Sequence, residues 1–206
     1  MRTILLCGFA AFPGAPQNPT ARLARQLDGA MIRHDVCVRG RVLPVEWDGS
    51  WPALKRAIED ESPAAVLLFG LHVRAERLRL ELVARNRREL GRADAAGAFP
   101  AGPAVGDGPD ELATRLPLAA CAAALREAGV SFEWSRNAGA YLCNDTLYRL
   151  ARAAGDLGVE RFGFVHVPLT DECVEATLEA GGLPEVFCSL SEGALERAAR
   201  ALLGVV

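Results

Sequence analysis

The chain has 206 residues, 50% of them hydrophobic and 24% charged, with a formal net charge of −3 at pH 7. This is the composition of a globule long enough for one domain with a full core, and its acidic balance argues against nucleic-acid binding. No apolar run reaches the roughly 18 residues of a membrane span, and Met1-Arg2-Thr3 enters a strand pattern with no leader signature, so a cytoplasmic, non-membrane protein is expected.

Residues 3–7 (Thr-Ile-Leu-Leu-Cys) are continuously apolar, the mark of a strand covered on both faces. Pro13, Gly14, Pro16 and Pro19 then make a loop. This loop has neither the GxGxxG spacing nor the GK[ST] phosphate cradle, which argues against a nucleotide-dependent enzyme. Phe9 and Phe12 within it either plug the core or wall an apolar pocket at the carboxyl end of the strand, where open α/β sheets bind ligands. Asn18 as N-cap and Pro19 at the first helical position predict a helix over 20–27.

Residues 36–45 alternate enough for one or two strands, and a helix begins at Ser50 with Leu54, Ala57 and Ile58 on one face. Residues 64–69 (Ala-Ala-Val-Leu-Leu-Phe) are a second fully apolar strand, closed by Gly70. Residues 78–83 alternate, with Leu78, Leu80 and Leu82 on one face and Arg79 and Glu81 on the other, as on an edge strand with a solvated Glu81. The charged segment 86–97 reads as a solvated loop. Residues 95–110, rich in Gly, Ala and Pro, read as a long mobile or subunit-contacting loop.

A helix is predicted over 111–128 with Gly129 at its C-cap. A short strand over 130–134 leads into Ser135-Arg136-Asn137-Ala138-Gly139-Ala140-Tyr141-Leu142-Cys143-Asn144-Asp145, followed by a helical pattern at Leu147, Leu150, Ala151 and Ala154. Residues 162–168 form the next strand, ended by Pro168, with His166 near its carboxyl end. A short helix over 171–178, a strand or extended segment over 184–188 and a last helix over 191–203 complete the chain. Buried strands alternating with helices predict a single-domain, three-layer α/β/α fold over residues 1–206 with a twisted, mostly parallel central sheet.

The six cysteines show no CxxC pair and there is no His-rich cluster, so no metal site is expected and the thiols are read as reduced. Cys143 falls just before or within the first turn of its helix, with Asn144 and Asp145 as capping candidates. A helix N-terminus carries unpaired N–H groups and the positive end of the dipole, which favour a reactive thiolate. Taken alone, Cys143 reads more readily as a small buried hydrophobe, the commonest fate of a free cysteine. Cys143, His166 and Glu81 can converge at one end of an α/β sheet, as nucleophile, acid/base and the acceptor that fixes the imidazole tautomer. First-turn N–H groups beside Cys143 would form an oxyanion hole. His34 and His72 are competing histidines, of which His72 follows the Gly70 strand.

At this point the chain resembles the pyroglutamyl peptidase I (pyrrolidone-carboxylate peptidase) family of cysteine peptidases. The resemblance rests on Gly8-Phe9, Phe12, Gly14 and Asn18-Pro19; on Gly70, Glu81 and Asn86; on Ala138-Gly139, Tyr141 and Cys143-Asn144; and on Phe164-Val165-His166-Val167-Pro168. It spans essentially the whole chain. It implies Cys143 as nucleophile, His166 as acid/base and Glu81 as its orienting partner. It also implies Phe9 and Phe12 against a pyrrolidone ring, Asn18 anchoring that loop, and Leu71 and Tyr141 in the binding region, with Arg92 and Asp94 in support. Such enzymes remove an N-terminal pyroglutamyl residue from peptides with a blocked N-terminus, need no cofactor, and commonly form tetramers, so a homo-oligomer, dimer or tetramer, is expected here. Two departures are visible. The family usually has Gln-Ala-Gly-Gly-Arg after Gly70, where this chain has Leu71-His72-Val73-Arg74-Ala75, and Leu71 cannot hydrogen-bond a lactam. Arg92 stands one place late. The alternative is therefore a catalytically silent or altered-specificity binding protein on the same scaffold.

Overall fold

The computed structural model describes residues 2–206. In chain order the first elements are β1 (Arg2–Phe9), α1 (Pro19–Leu27), β2 (Met31–Arg33), β3 (Val36–Leu43), α2 (Ser50–Glu61) and β4 (Ala65–Leu71). Next come β5 (Leu78–Glu81), β6 (Val83–Arg85), β7 (Glu111–Ala113), α3 (Leu118–Glu127), β8 (Phe132–Ser135) and α4 (Leu142–Ala153). The chain ends with β9 (Arg161–Val167), β10 (Leu169–Thr170), α5 (Val174–Glu179), β11 (Ser189–Leu190) and α6 (Glu192–Leu203).

The central sheet has seven strands in the order β2-β3-β1-β4-β9-β5-β8. Its β3–β1, β1–β4, β4–β9 and β5–β8 pairs are parallel, while β2–β3 and β5–β9 are antiparallel. The apolar run of β1 alternates between two cores. Ile4 and Leu6 face α1, α3 and α6, where Leu23, Leu125 and Leu202 pack, and Leu5 and Cys7 face α2 and α4, where Ile58 and Leu147 pack. Burial on both faces explains why β1 and β4 carry no polar alternation. The α/β layering expected from the sequence is the observed one. The parallel strands β1, β4 and β9 present their carboxyl ends on one edge, and the chain's chemistry lies there.

Several local expectations are corrected. Residues 111–128 are not one helix: Glu111–Ala113 pairs with β6, and the helix starts only at Leu118, after Pro117. A proline readily opens a helix but interrupts one that must run through it. β4 does not stop at Gly70 but runs on to Leu71, because both residues still pair with β9. The alternating segment 78–83 is broken at Leu82, and β5 is an inner strand between β9 and β8, so Glu81 is fully buried rather than solvated on an edge. Segment 184–188 forms no strand; the pairing residues are Ser189 and Leu190. The short antiparallel strand β2 was not foreseen from the sequence.

The segments read as solvated or mobile loops are held by side chains. Asp94 is buried and accepts backbone N–H groups from Trp47 (2.9 Å), Ala96 (2.9 Å) and Ala98 (2.8 Å). Asn86 accepts from the N–H of Val105 at 2.8 Å and donates to the carbonyl of Gly106 at 2.8 Å. Arg88 is buried against Asp145 at 2.7 Å, and Arg149 meets the other oxygen of that carboxylate at 2.9 Å. A buried carboxylate needs such partners, since desolvation of an unpaired one is costly.

Candidate active site

β9 and α4 bring the chemistry together. His166 lies one residue before the end of β9, opposite Gly70 on β4 and Arg79 on β5. Cys143 is the second residue of α4, whose N-cap, Tyr141, supplies no side-chain cap. Asn144 and Asp145 do not cap this helix. The Asn144 side chain instead accepts the N–H of Arg85 (2.8 Å) and donates to the carbonyls of Arg85 (2.8 Å) and Arg87 (3.0 Å), while Asp145 takes the two arginines already described. These ties fix the start of α4 against the strand that follows Glu81. The first intrahelical bond runs from the Asp145 N–H to the Tyr141 carbonyl at 3.0 Å. The N–H groups of Leu142, Cys143 and Asn144 are therefore the free first-turn donors.

The three residues singled out in the sequence meet. The Nδ1–H of His166 donates to Oε1 of Glu81 at 2.8 Å, and both side chains are buried. That leaves Nε2 for Cys143, which lines the same pocket and acts on the His166 pKa. Burial alone would lower the His166 pKa. The charge of Cys143, its hydrogen bond and then Glu81 overcome burial and raise it from 6.5 to about 9. Burial likewise opposes ionisation of Glu81, but the bond to His166, the His166 charge, Ser135 and Arg79 hold its carboxyl below the ordinary carboxylate range. The thiol lies over Gly70. A Cβ there would stand 2.6 Å from the Phe164 ring and 3.1 Å from Cys143 Sγ, so only glycine admits this approach.

A pocket of about 170 Å³ opens on this row. Phe9, Phe12, Leu71, Tyr141, Cys143 and His166 are among its lining. Its volume is below the range of sites for drug-sized ligands and suits one small residue. Phe9 is buried, with its ring 6.0 Å from that of Phe164, while Phe12 is half-buried in a tight turn closed by its own bridge to Ala15. So Phe9 both plugs the core and walls the pocket. Asn18 ties the loop at two points. Its oxygen accepts from the N–H and hydroxyl of Thr20 (3.1 and 2.8 Å), capping α1, and its amide donates to the Ala10 carbonyl at 3.1 Å. Tyr141 donates its hydroxyl to the Ala93 carbonyl at 3.0 Å and stands edge-on to Trp47. The Arg92 guanidinium lies 3.9 Å over the Tyr141 ring, on the pocket rim. Asp94 is not in the lining. It acts on the loop carrying Arg92 through the backbone bonds given above. Leu71 reaches the pocket but is buried among Ala15, Leu169 and Cys173.

One feature of the site was not read from the sequence as a unit. Arg79 points Nη1 at Nε2 of His72 (3.2 Å), donates Nη2 to the Ser135 hydroxyl at 3.0 Å, and pairs with Glu133 at 3.0 Å. An arginine has no acceptor, so the neutral His72 receives this bond at Nε2 and carries its proton on Nδ1. That Nδ1 is buried without a partner among the described residues. The His72 and His166 rings are 5.4 Å apart, and burial, His166 and Arg79 lower the His72 pKa to about 4. His72 thus stays uncharged beside a protonated His166. The alternation that put Arg79 on the face of Glu81 was the available signal. His34 lies outside this group.

A half-buried thiol at a helix start, a buried histidine and a buried glutamate, at the carboxyl edge of an α/β sheet, mark the class as an α/β cysteine peptidase. A family model described as Pyroglutamyl peptidase matches residues 2–203, and the chain belongs to that family. It is 38% identical over 175 residues to a pyrrolidone-carboxylate peptidase of Pseudomonas fluorescens, covering 84% of this chain and 82% of the relative. It is 36% identical over 171 residues to the one from Deinococcus radiodurans, covering 82% of this chain and 78% of the relative. The solved pyrrolidone carboxyl peptidase from Thermococcus litoralis superposes with a TM-score of 0.90 at 28% identity, covering 100% of this chain and 93% of that one.

Proposed function

We propose that the chain is a single catalytic domain that removes an N-terminal pyroglutamyl residue from peptides through Cys143, His166 and Glu81. The observation that carries this reading is the row in which Glu81 accepts the Nδ1–H of buried His166 while the half-buried Cys143 thiol lines the same pocket as that histidine. The Cys143 thiolate attacks the carbonyl of the scissile amide, and the tetrahedral oxyanion is met by first-turn N–H groups of α4. Collapse breaks the C–N bond, and the Nε2 proton of His166 goes to the departing amine. The result is a thioester on Cys143 and a free peptide. Water then adds to the thioester while neutral His166 takes its proton. The second collapse releases pyroglutamate and restores the thiolate–imidazolium pair. Glu81 keeps the imidazole in the tautomer both steps need.

Phe9, Phe12 and Tyr141 enclose the ring, Asn18 holds the phenylalanine loop, and Arg92, placed by Asp94, closes the rim. Leu71 offers the lactam no side-chain amide. The Nδ1–H of His72 is the donor available in its place, supported by its lack of a partner and by Arg79 fixing its tautomer. The chain is further proposed to act in the cytoplasm as a homo-oligomer. Free thiols support the first, and large apolar side chains left exposed at Phe99, Leu178 and Val186 support the second.

The test is hydrolysis of pyroglutamyl-aminocoumarin by the wild type and by Cys143→Ala. Turnover abolished by the substitution supports the reading. No turnover by a folded wild type overturns it in favour of a binding protein on this scaffold, the reading that Leu71 favours.

A further inference from the structure

The pocket of the catalytic row does not end at Phe12 and His72. It continues into a second, wider cleft of about 560 Å³, and the two share Phe12, Leu71, His72, Glu89 and Arg92. The catalytic thiol lies in the first but not the second. If the ring fills the small pocket and the scissile carbonyl lies at Cys143, the chain beyond the bond leaves by an adjoining cavity, and this is one that opens directly from it.

The cleft carries a surplus of positive charge. Its charged walls are Arg74, Arg92 and Glu89. Glu89 stands 3.8 Å from Arg92, so those two largely offset each other. Arg74 is exposed on the wall and has no carboxylate partner among the described residues. His72 adds no charge here, because burial and its cationic neighbours keep it neutral at ordinary pH.

Resting on the pyroglutamyl-peptidase reading, we infer that this cleft receives the leaving peptide and that Arg74 selects a carboxylate on it. That carboxylate is either an acidic side chain on the residue after the scissile bond or the free C-terminus of a dipeptide. An arginine suits this role because its planar fork pairs with a carboxylate at two points. The site is open to solvent, so the preference is modest and weakens with salt.

The experiment compares kcat/KM for pyroglutamyl-Asp-amide against pyroglutamyl-Asn-amide, and for pyroglutamyl-Ala against its C-terminal amide. It is run on wild type, Arg74→Ala and Arg74→Glu at low and high salt. The expected result is an advantage of roughly threefold for at least one carboxylate substrate, the size of one exposed ion pair. It should fall to about one in R74A and reverse in R74E. The first substrate pair reports a side-chain carboxylate and the second a terminal one. If the wild type hydrolyses all four substrates with no preference, or R74E keeps the preference of the wild type, the inference is overturned. If the wild type hydrolyses none of them, the pyroglutamyl reading itself fails and this inference falls with it.

Discussion

His166 and Glu81 share a 2.8 Å hydrogen bond between two buried groups that are 85 residues apart in sequence. The bond joins adjacent antiparallel strands, so its geometry is set by the sheet and not by a loop. Replacing Glu81 by Gln keeps the shape but places an amide beside Nδ1. An amide that donates to Nδ1 stabilises the wrong imidazole tautomer. Activity of Glu81→Gln should fall by roughly 10³- to 10⁴-fold, with far-ultraviolet circular dichroism unchanged. An activity within about threefold of wild type would mean Glu81 does not orient His166.

The raised His166 pKa makes a prediction about pH. The folded protein holds the proton up to about pH 9, above the ordinary value of 6.5. The corresponding stabilisation is fully present below about pH 6.5 and is lost as pH rises through about 9. The alkaline limb of kcat/KM should fall in the same region, when His166 can no longer protonate the leaving amine. Urea midpoints at low and high pH check the stability part. In Cys143→Ala the loss on the alkaline side should shrink, because the charge and hydrogen bond of Cys143 are leading causes of the raised value. An unchanged loss would mean that Cys143 and His166 are not coupled.

Gly70→Ala tests the contact between β4 and the thiol. The new methyl would lie 2.6 Å from the Phe164 ring and 3.1 Å from Cys143 Sγ. Overpacking of this kind costs about 1–3 kcal/mol. Gly70→Ala should show a lower denaturation midpoint and a loss of kcat greater than any change in KM. A variant with wild-type kcat would show that the thiol does not sit over Gly70.

Arg88→Ala removes one of the two cations on buried Asp145 and leaves Arg149. Full loss of a buried partner costs about 3–5 kcal/mol, and the remaining arginine should hold the effect near 2 kcal/mol by denaturant titration. The loop over 86–94 that carries Arg88 and Arg92 should loosen, which raises KM more than it lowers kcat. Asp145→Asn with Arg88 intact should be destabilised as well, since the neutral amide leaves both guanidinium groups without their counter-charge.

How much of this was legible in the sequence depended on the reach of each interaction. Asn18 capping α1 just ahead of Pro19, the doubly buried strands β1 and β4, and the helix from Ser191 are local, and their patterns name them. The burial of Glu81 is not local. Its own strand alternates like an edge strand, and only pairing with β8, more than fifty residues later, encloses it. Asn144 and Asp145 carry the side chains of a helix cap, but distant backbone at Arg85 and Arg87 and distant guanidinium at Arg88 compete for them and win. The same long-range pull turned the charged segment around Arg88 and Asp94 from a solvated loop into part of the site's frame. Residues 111–128 failed for a different reason: an alanine-rich helix pattern ran back across Pro117 into residues that prefer to pair with β6.

The proposed reaction stands on a covalent acyl intermediate at Cys143. The most direct measurement is acid quenching of wild-type enzyme during turnover of a pyroglutamyl ester, followed by peptide mapping with mass spectrometry. The expected result is the mass of one pyroglutamyl group on the peptide containing Cys143, accumulating before steady state and absent in Cys143→Ala. Turnover with no adduct on Cys143, or an adduct on another residue that persists in Cys143→Ala, would contradict it.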